Sequence, residues 1–579
     1  MTNAEIAAVL EQVADLLEFK NENPFRVRAY RNGARAIHDL PESVASIVAD
    51  NGQRLLEIDG IGKAVAEKAA TLARTGHLPQ LNELLAEIPA SVLAMMRIPG
   101  VGPKKAAAVF HQLGVATLDD LKTACEAGRV RGLKGFGAKT EKAILDGIAI
   151  AASAGQRLYW AEADQIAQAL REHLQDCGSI EQLELAGSYR RGRDTVGDLD
   201  VLAVAGKPEE VMDRFGSFPS VADVLGRGDT KMSVRLSSGF QIDLRIVPRE
   251  SFGAALQYFT GSKAHNIVLR GLAKQRGLKI NEYGVFRVEG DRETYVAGAA
   301  EADVYATLDL PCFPPELREA RREFDWAQSG GLPELVCLED IRGDLHAHTS
   351  ETDGRDTLEQ MAEAARQRGL KYLAITDHSQ RVTMAHGLDP KRLLAQWEQI
   401  DRLNDKLGKG FTLLKGIECD ILEKGGLDLP DDVLAGADWV VASVHYGQKQ
   451  PREQITQRIL DALANPFVCC IGHPTGRLLN KREGYELDLD AVFAAAAQHG
   501  KMLELNAHPM RLDLDDVACA AAKAHGVPIV ISTDAHQTEG LDDLRYGILQ
   551  ARRGGLTRAD VANTLTWPQL KKRLAGRAP

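Results

Sequence analysis

Gly187-Ser188-Tyr189-Arg190-Arg191-Gly192, followed after four residues by Gly197-Asp198-Leu199-Asp200-Val201-Leu202, is the stretch from which the rest of this 579-residue chain is read. A glycine-serine turn with two arginines precedes two carboxylates separated by one apolar residue, and a β-branched, apolar run continues from them. Alternate residues of a strand share a face, so Asp198 and Asp200 point one way while Leu199 enters the core. Two carboxylates about 7 Å apart on such a face suit the hard, oxygen-seeking cations that accompany nucleotide phosphates. Asp243, in Gln241-Ile242-Asp243-Leu244-Arg245, repeats the alternation and offers a third carboxylate. Together they predict a two-metal centre for phosphoryl or nucleotidyl transfer. An Asp-x-Asp pair alone describes a solvated strand face equally well. The Gly-Ser turn, the arginines and the second acidic strand are what favour chemistry.

With its downstream sequence this stretch resembles the palm of the family X DNA polymerases, the nucleotidyltransferase family that includes DNA polymerase beta. The resemblance implies that Asp198 and Asp200 hold two magnesium or manganese ions and that Asp243 holds the one that acidifies the primer 3'-hydroxyl. It implies that Ser188, Arg191 and Arg157, with Gly187 and Gly197 in the same turns, seat the triphosphate, and that Arg245 orients Asp243. Further on, Leu256-Gln257-Tyr258-Phe259-Thr260-Gly261-Ser262 reads by itself as an aromatic pair in core at a helix. The resemblance makes it the wall of a deoxyribose pocket, with Tyr258 and Phe259 excluding a ribose 2'-hydroxyl beside Gly261. Asn266 and Arg270 match positions that touch the incoming base or template, and Asn281-Glu282-Tyr283 continues a thumb.

Length and composition bound the rest. At roughly 150 residues per domain, 579 residues predict about four units. No run of about 18 apolar residues occurs and the start is acidic and amphipathic, so neither a membrane span nor a signal peptide is expected and the reading is cytoplasmic. Of eight cysteines only Cys469 and Cys470 are adjacent and no Cys-x-x-Cys occurs, which favours reduced thiols over disulfides or a thiolate zinc site. The net charge is -11, and the first 150 residues balance 18 acidic against 18 basic side chains. DNA affinity therefore has to come from local patches and backbone amides.

The N-terminal third is helical. Ile6, Val9, Leu10, Val13 and Leu17 recur at helical spacing, residues 21 to 24 interrupt, and Phe25-Arg26-Val27-Arg28-Ala29-Tyr30-Arg31 opens a second helix whose arginines suit either phosphate or water. Gly-apolar-Gly then occurs three times before alanine-rich helical runs, at Gly60 and Gly62, at Gly100 and Gly102, and at Gly135 and Gly137. Paired glycines let the backbone turn sharply and approach a ligand, and the following helix start offers free N–H groups to a phosphate. One copy is an ordinary interhelical turn. Three, with lysine or arginine nearby, resemble the helix-hairpin-helix module, which grips DNA backbone without reading sequence. Residues 3 to 88 also resemble the small N-terminal domain of family X repair polymerases, through Ala14-Asp15-Leu16-Leu17-Glu18, Asn23-Pro24-Phe25-Arg26 and Ala29-Tyr30-Arg31. In relatives with deoxyribose-phosphate lyase activity a Schiff-base lysine stands where Lys68 does. Arg26 and Gln80 replace further lysines of those relatives, and lyase activity stays open.

After a proline-rich, acidic linker the composition changes, and ten of the fifteen histidines lie beyond residue 340. Asp344-Leu345-His346-Ala347-His348, Thr352-Asp353-Gly354, Thr376-Asp377-His378, Gly416-Ile417-Glu418, Ser443-Val444-His445, Gly472-His473-Pro474 and Thr533-Asp534-Ala535-His536 mostly end short apolar runs, with helical stretches between. Strand, ligand, loop and helix in repetition predict an α/β barrel with its site at the C-terminal strand ends. Nine N and O donors exceed the four to six or so that one cation takes, so two or three ions are implied. A single histidine of this kind reads as a satisfied core residue; six in strand-end contexts with acid partners do not. The pattern resembles the PHP (polymerase and histidinol phosphatase) domain, a distorted seven-stranded barrel with a trinuclear site, and His346, His348, Asp353, His378, Glu418, His445, His473, Asp534 and His536 match its ligands. Imidazole donors favour zinc or manganese. Arg477 and Arg511 are candidate phosphate contacts.

The expected protein is multidomain: residues 1 to 88, a small helical domain with a helix-hairpin-helix; 89 to 150, a second helix-hairpin-helix domain; 151 to 250, an α+β nucleotidyltransferase palm; 251 to 316, a thumb; 317 to 340, a linker; and 341 to 579, a distorted (β/α)7 PHP barrel. The expected function is gap-filling, DNA-templated synthesis from deoxynucleoside triphosphates on gapped or primed DNA in base excision repair. A PHP 3'-5' exonuclease, with 3'-phosphatase or abasic-site endonuclease action as further options, accompanies it in a monomer. The rivals are an end-processing nuclease on a non-catalytic polymerase scaffold and a non-catalytic DNA-bridging protein.

Overall fold

The computed structural model describes residues 3 to 575 apart from 21, 39, 41–43, 59, 89–91, 93, 94, 96–100, 102, 139, 143 and 146–156. The chain divides into two compact units, Met1–Gln156 and Arg157–Pro579. Among the described residues no helix is long and apolar enough to cross a membrane.

Among its described residues the first unit has helices and no strand. In Asn3–Phe19 the predicted stripe of Ile6, Leu10, Val13 and Leu17 is buried, with Val9 packed at its edge. It joins Val27, Tyr30 and Ala34 of the helix Pro24–His38 and Val65, Ala69 and Leu72 of Lys63–Thr75 in one core.

In the second unit a five-stranded sheet runs in the order Ile180–Leu185, Asp198–Ala205, Gln241–Ile246, Lys231–Leu236, Val221–Arg227. Asp198–Ala205 and Gln241–Ile246 are parallel neighbours; the other adjacent pairs are antiparallel. Period two sorts Asp-Leu-Asp-Val-Leu-Ala-Val-Ala onto two faces. Leu199, Val201 and Ala203 enter the main palm core with Ile242 and Leu244. On the opposite face Leu202 and Val204 are covered by Ala186 and by Phe252, Ala255 and Leu256 of the helix Phe252–Thr260. Asp198 and Asp200 continue that second face beyond the apolar cover. A three-stranded antiparallel sheet, Leu278–Asn281, Gly284–Glu289 and Arg292–Ala297, and the helix Lys263–Gln275 follow.

The C-terminal part is a parallel sheet of seven strands in sequence order, from Gly343–Asp344 to Ile529–Ser532. Its ends meet: the amide of Asp534 donates to the His346 carbonyl at 2.9 Å and that of His348 to the Ala535 carbonyl at 2.8 Å, nearly closing the barrel. Both faces of its strands are buried, which is why they read as unbroken apolar runs. Tyr372, Ala374, Leu414, Trp439, Val441, Met502 and Val530 fill the interior, where Leu570 of the helix Trp567–Ala575 joins them. Leu373, Ile375, Ile417, Val440 and Ile471 pack outward on the helices.

The first part of the stretch expected as a linker is instead packed, whereas residues 328 to 331 are exposed. Proline fixes the backbone without forming a tether: Glu316, Leu317, Arg318 and Glu323 are all buried, and Glu323–Ser329 is helical. Arg318 reaches Glu301 and the Phe313 carbonyl, while Glu323 accepts from His265 Nδ1 at 2.9 Å.

Candidate active sites

The acidic triad of the palm converges by strand register. Asp200 pairs directly with Asp243 across the parallel strands, and Asp198 pairs with Gln241. Burial, then the Asp198 and Asp243 carboxylates, push Asp200 up to about 7. Burial and Asp243 raise Asp198 as well, with Arg157 opposing. Like charges crowded on one partly buried face are unfavourable without a counter-ion, so the donor set fits hard cations.

The turn before them is built around Gly187, at φ 66°. A Cβ there would stand 2.5 Å from Asp200 Oδ2, and the Ala186 amide is bonded to the Asp200 carbonyl at 2.8 Å. Only glycine lets the turn lie on the carboxylate. Gly187→Ala is therefore expected to displace the Asp200 side chain, to cost about 1–2 kcal/mol of stability from the left-handed backbone, and to slow primer extension about tenfold or more. Single-turnover extension with a melting curve checks it, and a wild-type rate would refute the close approach.

Arg157 lies against the triad: its Nη2 donates to the Thr195 carbonyl at 2.8 Å, and its Nη1 is 3.0 Å from where a Gly197 Cβ would be. Arg191 has partners already, donating to Glu319 at 3.0 Å and to the Thr260 carbonyl at 2.5 Å. Arg190 forms a two-pronged bond with Glu301, both contacts at 2.9 Å. Tyr258 and Phe259 meet edge to face, ring centres 5.1 Å apart. Asn266 is buried, donating to the Tyr258 carbonyl and accepting from Gln257, each at 2.7 Å. It fixes the aromatic pair, and Arg270 follows one turn on, bonded to the Asn266 carbonyl at 3.1 Å. Gly261, at φ 68°, ends the helix, and Ser262 begins the next. Arg245 does not orient Asp243: its guanidinium lies 4.4 Å over the Phe259 ring, and Gln241 donates to Asp243 instead, at 3.2 Å.

The nine histidine and acid residues of the barrel meet in one cup. Three groups within it have metal-ligand spacing: His348, Asp353, His378 and His536; His346, His348 and Asp534; and His378, Glu418 and His445. His473 joins through Glu418, at 3.0 Å. Glu418 is the hub, its oxygens 2.7 Å from His378 Nδ1, 3.3 Å from His445 and 3.5 Å from His346. His346 Nε2, His348 Nδ1, His378 Nδ1 and Glu418 Oε2 are buried without an aligned hydrogen bond. Buried polar atoms are otherwise satisfied, so unaligned donors around one point fit metal ions. The protonation pattern agrees. Burial would lower His378, but Glu418 and Asp353 outweigh it and raise it to about 10; Glu418 and Asp420 likewise hold His445 at about 9. Burial and the neighbouring His536 and His378 lower His348 to about 3. The cup demands positive charge.

Family models match along the chain in the order of the structure: a helix-hairpin-helix domain at 1–78, a SAM-like helix-hairpin-helix tandem at 92–149, the DNA polymerase beta palm at 157–225, the DNA polymerase beta thumb at 255–319 and the PHP domain at 344–508. The DNA polymerase/3'-5' exonuclease PolX of Bacillus subtilis (strain 168) is 40% identical over 566 residues, 97% of each chain. The chain belongs to the PolX-type, family X DNA polymerases. A probable phosphatase of Thermoanaerobacter sp. (strain X514) is 30% identical over 233 residues, 38% of this chain and 89% of its own. Another, from Acetivibrio thermocellus, is 32% identical over 202 residues, 33% of this chain and 78% of its own.

As a family X polymerase the chain is a metal-dependent enzyme that joins a nucleotidyltransferase module to a phosphoesterase-type one. Several residues of its second site escaped sequence reasoning. Glu504 accepts from His346 Nδ1 and Ser532 Oγ, both at 2.7 Å, and from the His473 amide at 2.5 Å. Asp420 accepts from His445 Nδ1 at 3.0 Å, and Asn506 donates to Asp534 at 3.0 Å. Such partners fix imidazole orientation and tautomer. Arg511 lies 3.6 Å from Asp534, at the rim of the ligand set. Arg477 does not serve that way: it is committed to the Arg511 and Leu512 carbonyls and to Asp194 of the palm, 3.4 Å away.

In the first unit Gly60 is at φ 88° and Gly62 caps Lys63–Thr75, beside an open cleft of about 560 Å³ that they share with Asn32 and Ile61. Gly135 is at φ 85°, and the Gly137 carbonyl takes the Glu141 amide at 2.9 Å. Gly100 and Gly102 lie outside the described residues. Arg31 is paired with Asp15 and Glu18, at 2.9 and 2.5 Å. Lys68 is half-buried on its helix, and Gln80 accepts from Tyr30 at 2.8 Å.

Proposed function

We propose that this polymerase fills short gaps in DNA during repair, by templated transfer of deoxynucleotides, and trims 3' ends in its PHP barrel. The observation that carries the reading is that two separate donor sets, each matched to cations, are complete on one chain. In the palm, Asp198 and Asp200 are the candidate ligands of two magnesium or manganese ions and Asp243 of one of them. When bound, these ions supply the charge that an in-line displacement on phosphorus requires. Around them Ser188, Gly187, Gly197, Arg157 and Arg191 seat the triphosphate, and Tyr258 and Phe259 select against a 2'-hydroxyl. In the barrel, His346, His348, Asp353, His378, Glu418, His445, His473, Asp534 and His536 would hold up to three zinc or manganese ions, the borderline cations imidazole prefers. Phosphate-ester hydrolysis there matches the exonuclease named for the Bacillus relative and the phosphatases named for the others. The glycine hairpins at Gly60, Gly62, Gly100, Gly102, Gly135 and Gly137 would hold DNA phosphates, and the chain acts as a cytoplasmic monomer. Lyase chemistry at Lys68 is not part of the reading.

Primer extension and shortening on one-nucleotide-gapped DNA, with magnesium and with manganese, tests it using wild type, Asp243→Ala and His346→Ala. Asp243→Ala is expected to lose extension and keep shortening, and His346→Ala the reverse. Loss of both activities in both variants would refute two independent sites.

A further inference from the structure

The triphosphate turn of the palm is not finished by the palm. Its last two carbonyls are held by the barrel, through the helix Leu544–Arg553. Arg553 Nη1 donates to the Arg191 carbonyl at 2.8 Å, and Gln550 Nε2 donates to the Gly192 carbonyl at 3.2 Å. Gly192, at φ 65°, has no room for more: a Cβ would meet Leu549 at 3.3 Å.

The same guanidinium reaches the side chain of Arg191 through a shared carboxylate. Glu319 Oε1 takes Arg553 Nη1 at 2.9 Å and Arg191 Nε at 3.0 Å. Arg553 Nη2 lies 2.7 Å from Asp516, which also pairs with Arg321 at 3.0 Å. The Arg553 side chain is 1% exposed, so its charge is satisfied only by these groups. Burying an arginine so completely is costly unless its charge is paired; Glu319 and Asp516 pair it, and Nη1 also holds the nucleotide turn.

We propose that Arg553 and Gln550 of the PHP barrel are positioning residues for the nucleotide site of the palm. They pin the turn by its carbonyls, and Arg553 sets, through Glu319, where the Arg191 guanidinium stands. The inference rests on the assignment of Arg191 to the triphosphate. Glu319 shared between two arginines holds each less tightly than it would hold one. Without Arg553 the carboxylate turns wholly to Arg191, which the triphosphate must then win away, while the turn loses a carbonyl anchor. Both changes weaken nucleotide binding and leave the acidic triad in place.

Steady-state insertion of one nucleotide into gapped DNA tests this in wild type, Arg553→Ala, Gln550→Ala, Arg191→Ala and the Arg553→Ala/Arg191→Ala double variant. Manganese-dependent hydrolysis of p-nitrophenyl phosphate, measured in parallel, reports whether the barrel has folded. Arg553→Ala is expected to raise KM for the nucleotide about tenfold, the size of one charge-assisted contact, with kcat changed far less. In the Arg191→Ala background the same substitution should have a smaller effect, the part left by the lost carbonyl anchor, since groups that act through one another are not additive. A KM increase of equal size in both backgrounds would mean that Arg553 does not set the Arg191 guanidinium through Glu319, and would overturn the proposal. If Arg553→Ala does not fold, Gln550→Ala carries the test with a smaller rise in KM. Wild-type KM in the folded barrel variants with a raised KM in Arg191→Ala would overturn this inference alone. Wild-type KM in Arg191→Ala would overturn the assignment beneath it.

Discussion

Asp200→Asn should abolish gap filling, slowing primer extension by about a thousandfold or more, while shortening by the barrel continues. The substitution keeps the shape of the side chain and the backbone bond from the Ala186 amide to the residue 200 carbonyl, so the strand is not at issue. What it removes is one charge from a cluster in which Asp200 faces Asp243 in register and is pushed up to about 7 by burial and by its two acidic neighbours. A carboxyl raised in the folded state contributes stability that is present below its unfolded pKa and is lost as pH rises through about 7. The metal-free wild type should therefore melt lower at mildly alkaline than at mildly acidic pH, and Asp200→Asn should show less of that decline. Added magnesium should release protons from the wild type near neutral pH, because cation and proton compete for one carboxylate. The variant should release fewer. Extension at the wild-type rate, or unchanged proton release, would remove Asp200 from the site.

The parts of both sites legible beforehand share one property: the ligand types stand where backbone period marks them. Asp198, Asp200 and Asp243 could be placed on a single face because a strand alternates strictly, and the parallel register then brought two of them opposite each other. His378, His445 and the Asp534-His536 pair could be placed because each ends a buried apolar run. Glu504 and Asp420 stand inside or at the last residue of such runs, where an acid carries no outward mark. The alternation of Met502-Leu503-Glu504-Leu505-Asn506 was the one available signal, since it puts Glu504 and Asn506 on one face. Partners of arginine were hidden for a different reason. Arg191 meets Glu319 and Arg477 meets Asp194 across long spans of chain, and one long charged side chain looks like another until the fold chooses its partner. The packed strap around Arg318 and Glu323 was hidden likewise, because prolines and acids there read as solvated chain.

Glu418→Gln should have the corresponding effect on the barrel: hydrolysis falling by about a thousandfold or more, bound transition metal lost, and gap filling retained. Among the described residues Glu418 alone has a carboxylate that approaches five imidazoles: those of His378, His473, His445, His346 and His348, at 2.7, 3.0, 3.3, 3.5 and 3.8 Å. It is completely buried, and although burial would raise it, the His445, His378 and His346 imidazoles hold it well below the ordinary carboxylate range. A glutamine of the same shape keeps the packing but cannot balance either cations or imidazolium. In the chelated wild type, the stability from His378 is fully present below the unfolded histidine range and is lost as pH rises through about 10. Chelated Glu418→Gln lacks much of that contribution, so its melting temperature should vary less with pH over the same window. Metal content by elemental analysis, hydrolysis of a 3' end and melting with and without chelator measure the three effects on one preparation. A glutamine variant that keeps its metal and its hydrolysis would show that the imidazoles and Asp353 and Asp534 suffice, and that Glu418 only neutralises histidines.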